Sequence, residues 1–275
     1  MNSLTRTAAA GLAAAGLFVA CAKVPYTDRV QYNLIPNSIM RGVGASTYTT
    51  MLAGETLQRK GEDVDVLNKV GARISKAANQ PKYDWQFSMI QDKDTVNAWC
   101  LPGGKIAFYT GILPALRNEA GMAFVMGHEV AHATANHGSE RMSQQLTVIG
   151  GLVGLEVYLA NESTIKPRDR AVILGALGVG ATLGIVLPFS RLHESEADVI
   201  GMMYMADGGY PPAESIQVWD RMEQVAGPSG IPAFISTHPK NAKRQDKLRE
   251  WLPRARKRYE RNALARDTKQ TLWPM

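Results

Sequence analysis

The 275-residue sequence predicts an α+β fold, mostly helical, with a small antiparallel sheet beside a helix suited to binding a metal ion. Three observations carry this. Residues 118–133 are apolar on nearly all sides, yet contain Gly127-His128-Glu129-Val130-Ala131-His132. Just before them, two β-like runs, 95–101 and 106–110, are joined by Pro102-Gly103-Gly104-Lys105, residues that permit a tight reversal. Farther on, 190–207 has helical spacing and returns acidic residues four apart.

With 45% hydrophobic residues, the chain can build one sizeable core, expected here as a single catalytic domain over 37–275. Lys plus Arg exceed Asp plus Glu by 31 − 25 = 6. That excess suits an anionic membrane surface and is too diffuse for nucleic acid.

Residues 1–20 read as a secretory signal: Arg6 is their only charge, and Thr7 to Ala20 is an uncharged Ala/Gly/Leu run too short to span a bilayer. The run ends Leu17-Phe18-Val19-Ala20-Cys21, which resembles a bacterial lipoprotein signal with Cys21 as the acylated residue. Phe18 departs from the usual leucine. Ala22 after the cysteine matches the pattern for outer-membrane sorting, so a lipid-anchored protein facing the periplasm is expected. Residues 21–36, with Pro25 and Pro36, read as a tether. With Cys21 lipidated, Cys100 has no disulfide partner in the chain and reads as a buried, inert thiol.

Helices are expected over 38–59 and 63–78, the second carrying Val66, Leu67, Val70 and Ile74 on one face. The period then changes, since Trp85, Phe87 and Met89 alternate with polar residues as in a half-buried strand. The hairpin follows, and a strand at its edge would offer unpaired backbone groups to an extended peptide, with Asn97, Gly103 and Gly104 as the pairing positions. Asn118 and Glu119 begin the motif helix. His137-Gly138-Ser139 reads as a polar break before a helix over 140–160. The uncharged run 171–187 is long enough for a short membrane span. Its glycines, and the lack of an equally apolar partner, favour a helix or hairpin packed on the protein or resting on a membrane surface.

Histidines four apart on a helix lie within about 40° of each other around the axis. His128 and His132 can therefore reach one ion, while Glu129, on the flank of that face, stands beside an attacking water rather than on the metal. This is the HExxH pattern of zinc hydrolases, with Glu129 as general base. In the helix over 190–207, Glu194 and Asp198 share a stripe that Gly201 and Met205 continue. Glu194 is the expected third ligand, and Asp198 the acceptor for a ligand histidine's other ring nitrogen. Gly201 would let the two helices approach closely. Glu196, about 200° away, is expected to point elsewhere, and His193, about 100° off the stripe, reads as a polar surface residue.

His128-Glu129-Val130-Ala131-His132, followed after residues 133–193 by Glu194-x-x-Ala197-Asp198, resembles the HtpX/BepA-like zinc metallopeptidases, which include the CAAX prenyl endopeptidase and OMA-type proteases. Asn97-Ala-x-x-Leu-Pro-Gly103-Gly104 and Thr237-His238-Pro239 with Arg244 match as well. The resemblance implies a zincin-like domain with one Zn²⁺, and, for small periplasmic lipoprotein members, an endopeptidase that clears misfolded envelope proteins. By composition alone His238 would be a surface histidine. The resemblance implies that it lies over the metal, accompanied by Arg244, either as a fourth ligand that closes the open position or as a transition-state donor. A chaperone-like outer-membrane assembly factor with latent protease activity is the alternative function. A purely structural zinc site is disfavoured, because it has no use for Glu129. The C-terminal stretch 241–251 should be helical, broken or kinked at Pro253, with basic residues beyond that are solvated or touch anionic lipid.

Overall fold

The protein is described from a computed structural model, over residues 23–161, 166–181, 187–225, 232–239, 242–264 and 273. They fall into two compact units. One draws on residues 1–37 and 138–190, the other on 38–137 and 191–275.

In the larger unit, helix α1 (Asn37–Leu52) stops well short of residue 59. The chain turns at 53–55 and forms a short strand, β1 (Leu57–Gln58), that has no signature in the sequence. Helix α2 (Glu62–Ala78) opens with Glu62, Asp63 and Asp65 in its first turn, where acidic groups are favoured. It buries Val66, Leu67, Val70 and Ile74, and ends at Asn79, whose φ of 47° is the left-handed conformation common after a helix.

Strands β2 (Gln86–Ile90), β3 (Ala98–Leu101) and β4 (Lys105–Tyr109) complete a four-stranded sheet of order β1-β2-β4-β3. Gly103 and Gly104, at φ of 93° and 85°, close the expected β3–β4 hairpin. The sheet is mixed, not antiparallel, because β2 pairs parallel with β4. A hairpin's second strand has two edges, and β3 occupies only one of them.

After β4, a short turn of helix (Thr110–Ile112) and α3 (Leu113–Leu116) lead into α4 (Glu119–Thr134). As the sequence suggests, Asn118 caps α4, its side-chain oxygen accepting the Gly121 N–H at 2.9 Å. Almost every residue of α4 is buried, and it packs on α2 and β3. Asn136, with φ of 52°, redirects the chain into α5 (His137–Asn161), which begins at His137 rather than breaking there.

In the smaller unit, residues 23–36 are fastened to α5 and do not form a free tether. Arg29 makes a two-pronged pair with Glu140 at 2.8 and 2.7 Å, and the Leu34 N–H donates to Ser143 Oγ at 2.8 Å. Helix α6 (Pro167–Ala181) covers most of the uncharged run, with Val172, Ile173 and Leu177 exposed. Among the described residues no helix is long and apolar enough to cross a membrane.

Helix α7 (Leu187–Asp207) carries the acidic residues to α4. The two backbones touch at Gly127 and Gly201: a Cβ on Gly201 would lie 2.6 Å from the His128 backbone nitrogen and 2.8 Å from the Gly127 carbonyl carbon. Gly201→Ala is thus expected to destabilise the protein. Its gain in helix propensity is about 1 kcal/mol. Overpacking costs about 1–3 kcal/mol or more, and here the atoms met are backbone that cannot rotate away. Urea denaturation should show a lower midpoint, and metal affinity should fall because the helices must separate.

Helices α8 (Glu214–Val225), α9 (Ala233–Thr237) and α10 (Ala242–Glu260) complete the unit. Helix α10 runs on through Pro253, where the sequence suggests a break. Pro253 and Arg249 are both exposed, so water can satisfy the carbonyl that proline leaves unpaired. In the basic stretch beyond, Arg258 grips Asp207 with two bonds of 2.6 Å.

Candidate metal centre

Helix α4 delivers His128 and His132, α7 delivers Glu194, and the loop after α9 delivers His238. One ligand atom from each lies within 4.8 Å of every other. The sequence-derived ligand set is therefore assembled, with His238 added to it. His128 Nε2 is 3.2 Å from both His132 Nε2 and His238 Nδ1, and 3.4 Å from a Glu194 oxygen. Three imidazoles and a carboxylate converging with ring nitrogens inward is a donor set suited to a cation such as zinc.

Asp198 is fully buried and takes the expected place, its Oδ1 3.0 Å from His128 Nδ1, which leaves Nε2 facing the centre. Arg244 also matches its expected position and ties three parts of the site together. It donates to Asp198 at 2.6 and 2.8 Å and to the His238 and Pro239 carbonyls at 3.2 and 2.9 Å, and it approaches Glu194 at 3.2 Å. Its guanidinium stacks on Trp219, 4.3 Å from the ring centroid.

The electrostatics show a site that favours positive charge. Burial acts to lower the His128 pKa, but hydrogen bonds and charge from Asp198 and Glu194 prevail and raise it to about 9. Burial would likewise raise the Glu194 carboxyl, yet His132, His128 and His238 hold it well below the usual carboxylate range. Two groups depart from this: burial pushes the His132 imidazole well down and the Glu129 carboxyl up, and Glu129 lies outside the ligand cluster. His238 Nε2 is 3.3 Å from Glu129 Oε1, and the Cys100 N–H on β3 donates to the same carboxylate. A carboxylate off the metal but beside it, with a raised proton affinity, suits a general base.

The substrate-pairing residues need correction. The Asn97 carbonyl accepts the Tyr109 N–H at 3.1 Å, and Gly104 donates to Leu101 and accepts from Gln86, so these groups are engaged within the sheet. Gly103 sits in the turn off the end of β3. By alternation, the edge of β3 turned away from β4 belongs to Ala98 and Cys100, with Val96 just before the strand; the Ala98 N–H donates to Asn97 Oδ1 at 3.0 Å and the Cys100 N–H to Glu129. Part of that edge is occupied, since the Phe234 N–H donates to the Val96 carbonyl at 3.0 Å. The segment that brings His238 to the ligands thus also pairs with the edge strand.

Another expectation changes. His193 is no surface residue: it is buried and stacks on His137, ring centroids 4.3 Å apart, without joining the ligands. Glu196 points away from the ligands, as its place on the helix requires, and is buried 3.3 Å from His137 Nε2. Cys100, expected to be buried, is half-buried, and burial of its thiol together with Glu129 pushes its pKa up.

The sequence model of Peptidase family M48 matches residues 63–252, which include His128, His132, Glu194 and His238. This chain belongs to family M48. Relatives include the mitochondrial metalloendopeptidase OMA1 of Schizosaccharomyces pombe, 31% identical over 256 residues, covering 92% of this chain and 71% of that one. OMA1 of Saccharomyces cerevisiae is 31% identical over 261 residues, covering 87% and 71%. The beta-barrel assembly-enhancing protease of Escherichia coli is 28% identical over 179 residues, covering 63% of this chain and 35% of that protein. As an M48 member the chain is a metalloendopeptidase.

Proposed function

We propose that this metalloendopeptidase uses zinc, is anchored by lipid at Cys21 to the periplasmic face of a bacterial outer membrane, and cleaves misfolded or misassembled envelope proteins. The observation that carries the zinc reading is the cluster of His128, His132 and Glu194 with Glu129 beside it. Zinc bound there would lower the pKa of water and polarise a peptide carbonyl. Glu129 takes the proton from the attacking water and passes it to the departing amine. Asp198 keeps the His128 ring turned with Nε2 inward. Substrate main chain runs along the edge of β3 turned away from β4, a mode that asks little of side-chain sequence and suits unfolded chains. Hydrolysis of an unfolded protein should vanish with chelator and return with added zinc. Metal-independent cleavage would refute this reading.

The envelope assignment draws on the lipoprotein-like signal, in residues outside those described, and on similarity to the Escherichia coli protease. Cys21→Ser should release the protein from membranes or leave an unprocessed precursor. Mass spectrometry showing an unacylated mature terminus elsewhere would end the lipid-anchor reading.

The position of His238 among the ligands favours a second reading, a latent protease that assists assembly and cleaves only when opened. A fourth protein ligand closes the position that water needs. His238→Ala should then raise basal proteolysis. A fall in activity with zinc retained would instead make His238 a transition-state donor, and unchanged activity with unchanged zinc affinity would exclude both roles.

A further inference from the structure

His128 has Asp198 on its outer nitrogen. The outer nitrogen of His132 faces another histidine: His132 Nδ1 is 3.0 Å from His137 Nδ1, and on the far side His137 Nε2 is 3.3 Å from a Glu196 oxygen. Both His137 and Glu196 are buried, at 3% and 5% exposure. His193, also buried, lies flat against the His137 ring at an interplanar angle of 9°, which fixes the plane of that ring.

The proton placement follows from the geometry. His132 Nε2 points at His128 and Glu194, so as a ligand it gives up that lone pair to the metal and carries its proton on Nδ1. That N–H meets His137 Nδ1, which must then be the acceptor. A neutral imidazole with one nitrogen accepting carries its proton on the other, so the His137 proton sits on Nε2, 3.3 Å from the Glu196 carboxylate, an ion-pair contact rather than an aligned hydrogen bond. A buried carboxylate is costly unless partners stabilise it, and His137 is one such partner.

We propose that His137 and Glu196 act as positioning residues for the metal, a two-step extension through which a carboxylate orients His132 as Asp198 orients His128. Zinc ligands commonly rely on such outer partners, whose loss costs on the order of 10- to 100-fold in metal affinity. Here the inserted imidazole bridges the gap between His132 on α4 and Glu196 on the far face of α7. The pair exists because Asn136 turns the chain, bringing His137 back to the histidine five residues before it.

The inference rests on His132 being a metal ligand, and the test separates the two. Zinc affinity of the full chain is measured by chelator competition for wild type, His137→Phe, His137→Asn, Glu196→Ala and the His137→Phe/Glu196→Ala double variant, with melting of each metal-free protein as a control for folding. If wild type itself fails to bind zinc, the ligand assignment falls. If it binds, His137→Phe should lose about 10- to 100-fold. His137→Asn, whose amide oxygen can replace Nδ1 as acceptor, should recover much of this. Glu196→Ala should weaken binding in the wild-type background and add little to His137→Phe, because the carboxylate acts only through the ring. Wild-type affinity in His137→Phe, or an equal Glu196→Ala cost in both backgrounds, overturns the proposal. Should the variants misfold, the tautomer of zinc-loaded wild type decides: nitrogen-15 spectra should place the His137 proton on Nε2, and a proton on Nδ1 overturns it.

Discussion

Glu129→Gln is expected to bind zinc with wild-type affinity and to hydrolyse peptide bonds about 10² to 10⁴ times more slowly, the usual cost of removing a general base. The separation of effects comes from geometry. Glu129 is buried beside the ligand cluster but outside it, so an amide of the same size disturbs neither the metal nor the packing of α4. What the amide lacks is the proton affinity that burial has raised in the carboxyl. Cleavage of an unfolded protein by wild type and variant side by side, with zinc content measured in both, checks the result. Equal rates would show that another group activates water.

Arg244→Met should give the largest loss of stability, about 3–5 kcal/mol, the range for stranding one member of a buried ion pair. The guanidinium holds both oxygens of Asp198, which is wholly buried, and two carbonyls of the loop that bears His238. Burial alone would raise the Asp198 carboxyl. Arg244 and His128 hold it below the usual carboxylate range, so the variant leaves a carboxylate that must either stay uncompensated or take a proton. Urea denaturation measures the loss. Replacing both partners, as Asp198→Leu/Arg244→Met, should cost less than the two single changes summed, because no buried charge then remains. Strict additivity would show that the pair is not coupled.

Much of the site was legible in the sequence because it is written in helical spacing. His128 and His132 four apart, and Glu194, Asp198 and Gly201 along one stripe, need only a helix period to define faces. The β3–β4 hairpin was legible because Gly103 and Gly104 admit backbone angles that few other residues adopt. The strand β1 was not, since two residues carry no periodicity. The parallel pairing of β2 was hidden for another reason: it depends on which edge of β4 is left open. Pro253 misled because proline removes a helical hydrogen bond, but whether that matters depends on whether water can reach the freed carbonyl.

By itself the sequence determined the chemical groups of the candidate site: two imidazoles, the carboxyls of Glu129 and Glu194, and a capped apolar helix to carry the first three, all set by local spacing and residue type. Only the tertiary structure decided what surrounds that chemistry. It placed His238 among the ligands, set Phe234 on the edge of β3, turned Glu196 inward to His137 and fastened residues 23–36 to α5. The physical reason is range. Helix faces follow from neighbours three or four residues away, whereas a contact between His137 and Glu196, or between His238 and Glu194, depends on how separate helices cross. That crossing is set by backbone contacts such as Gly127 on Gly201, which no local pattern specifies.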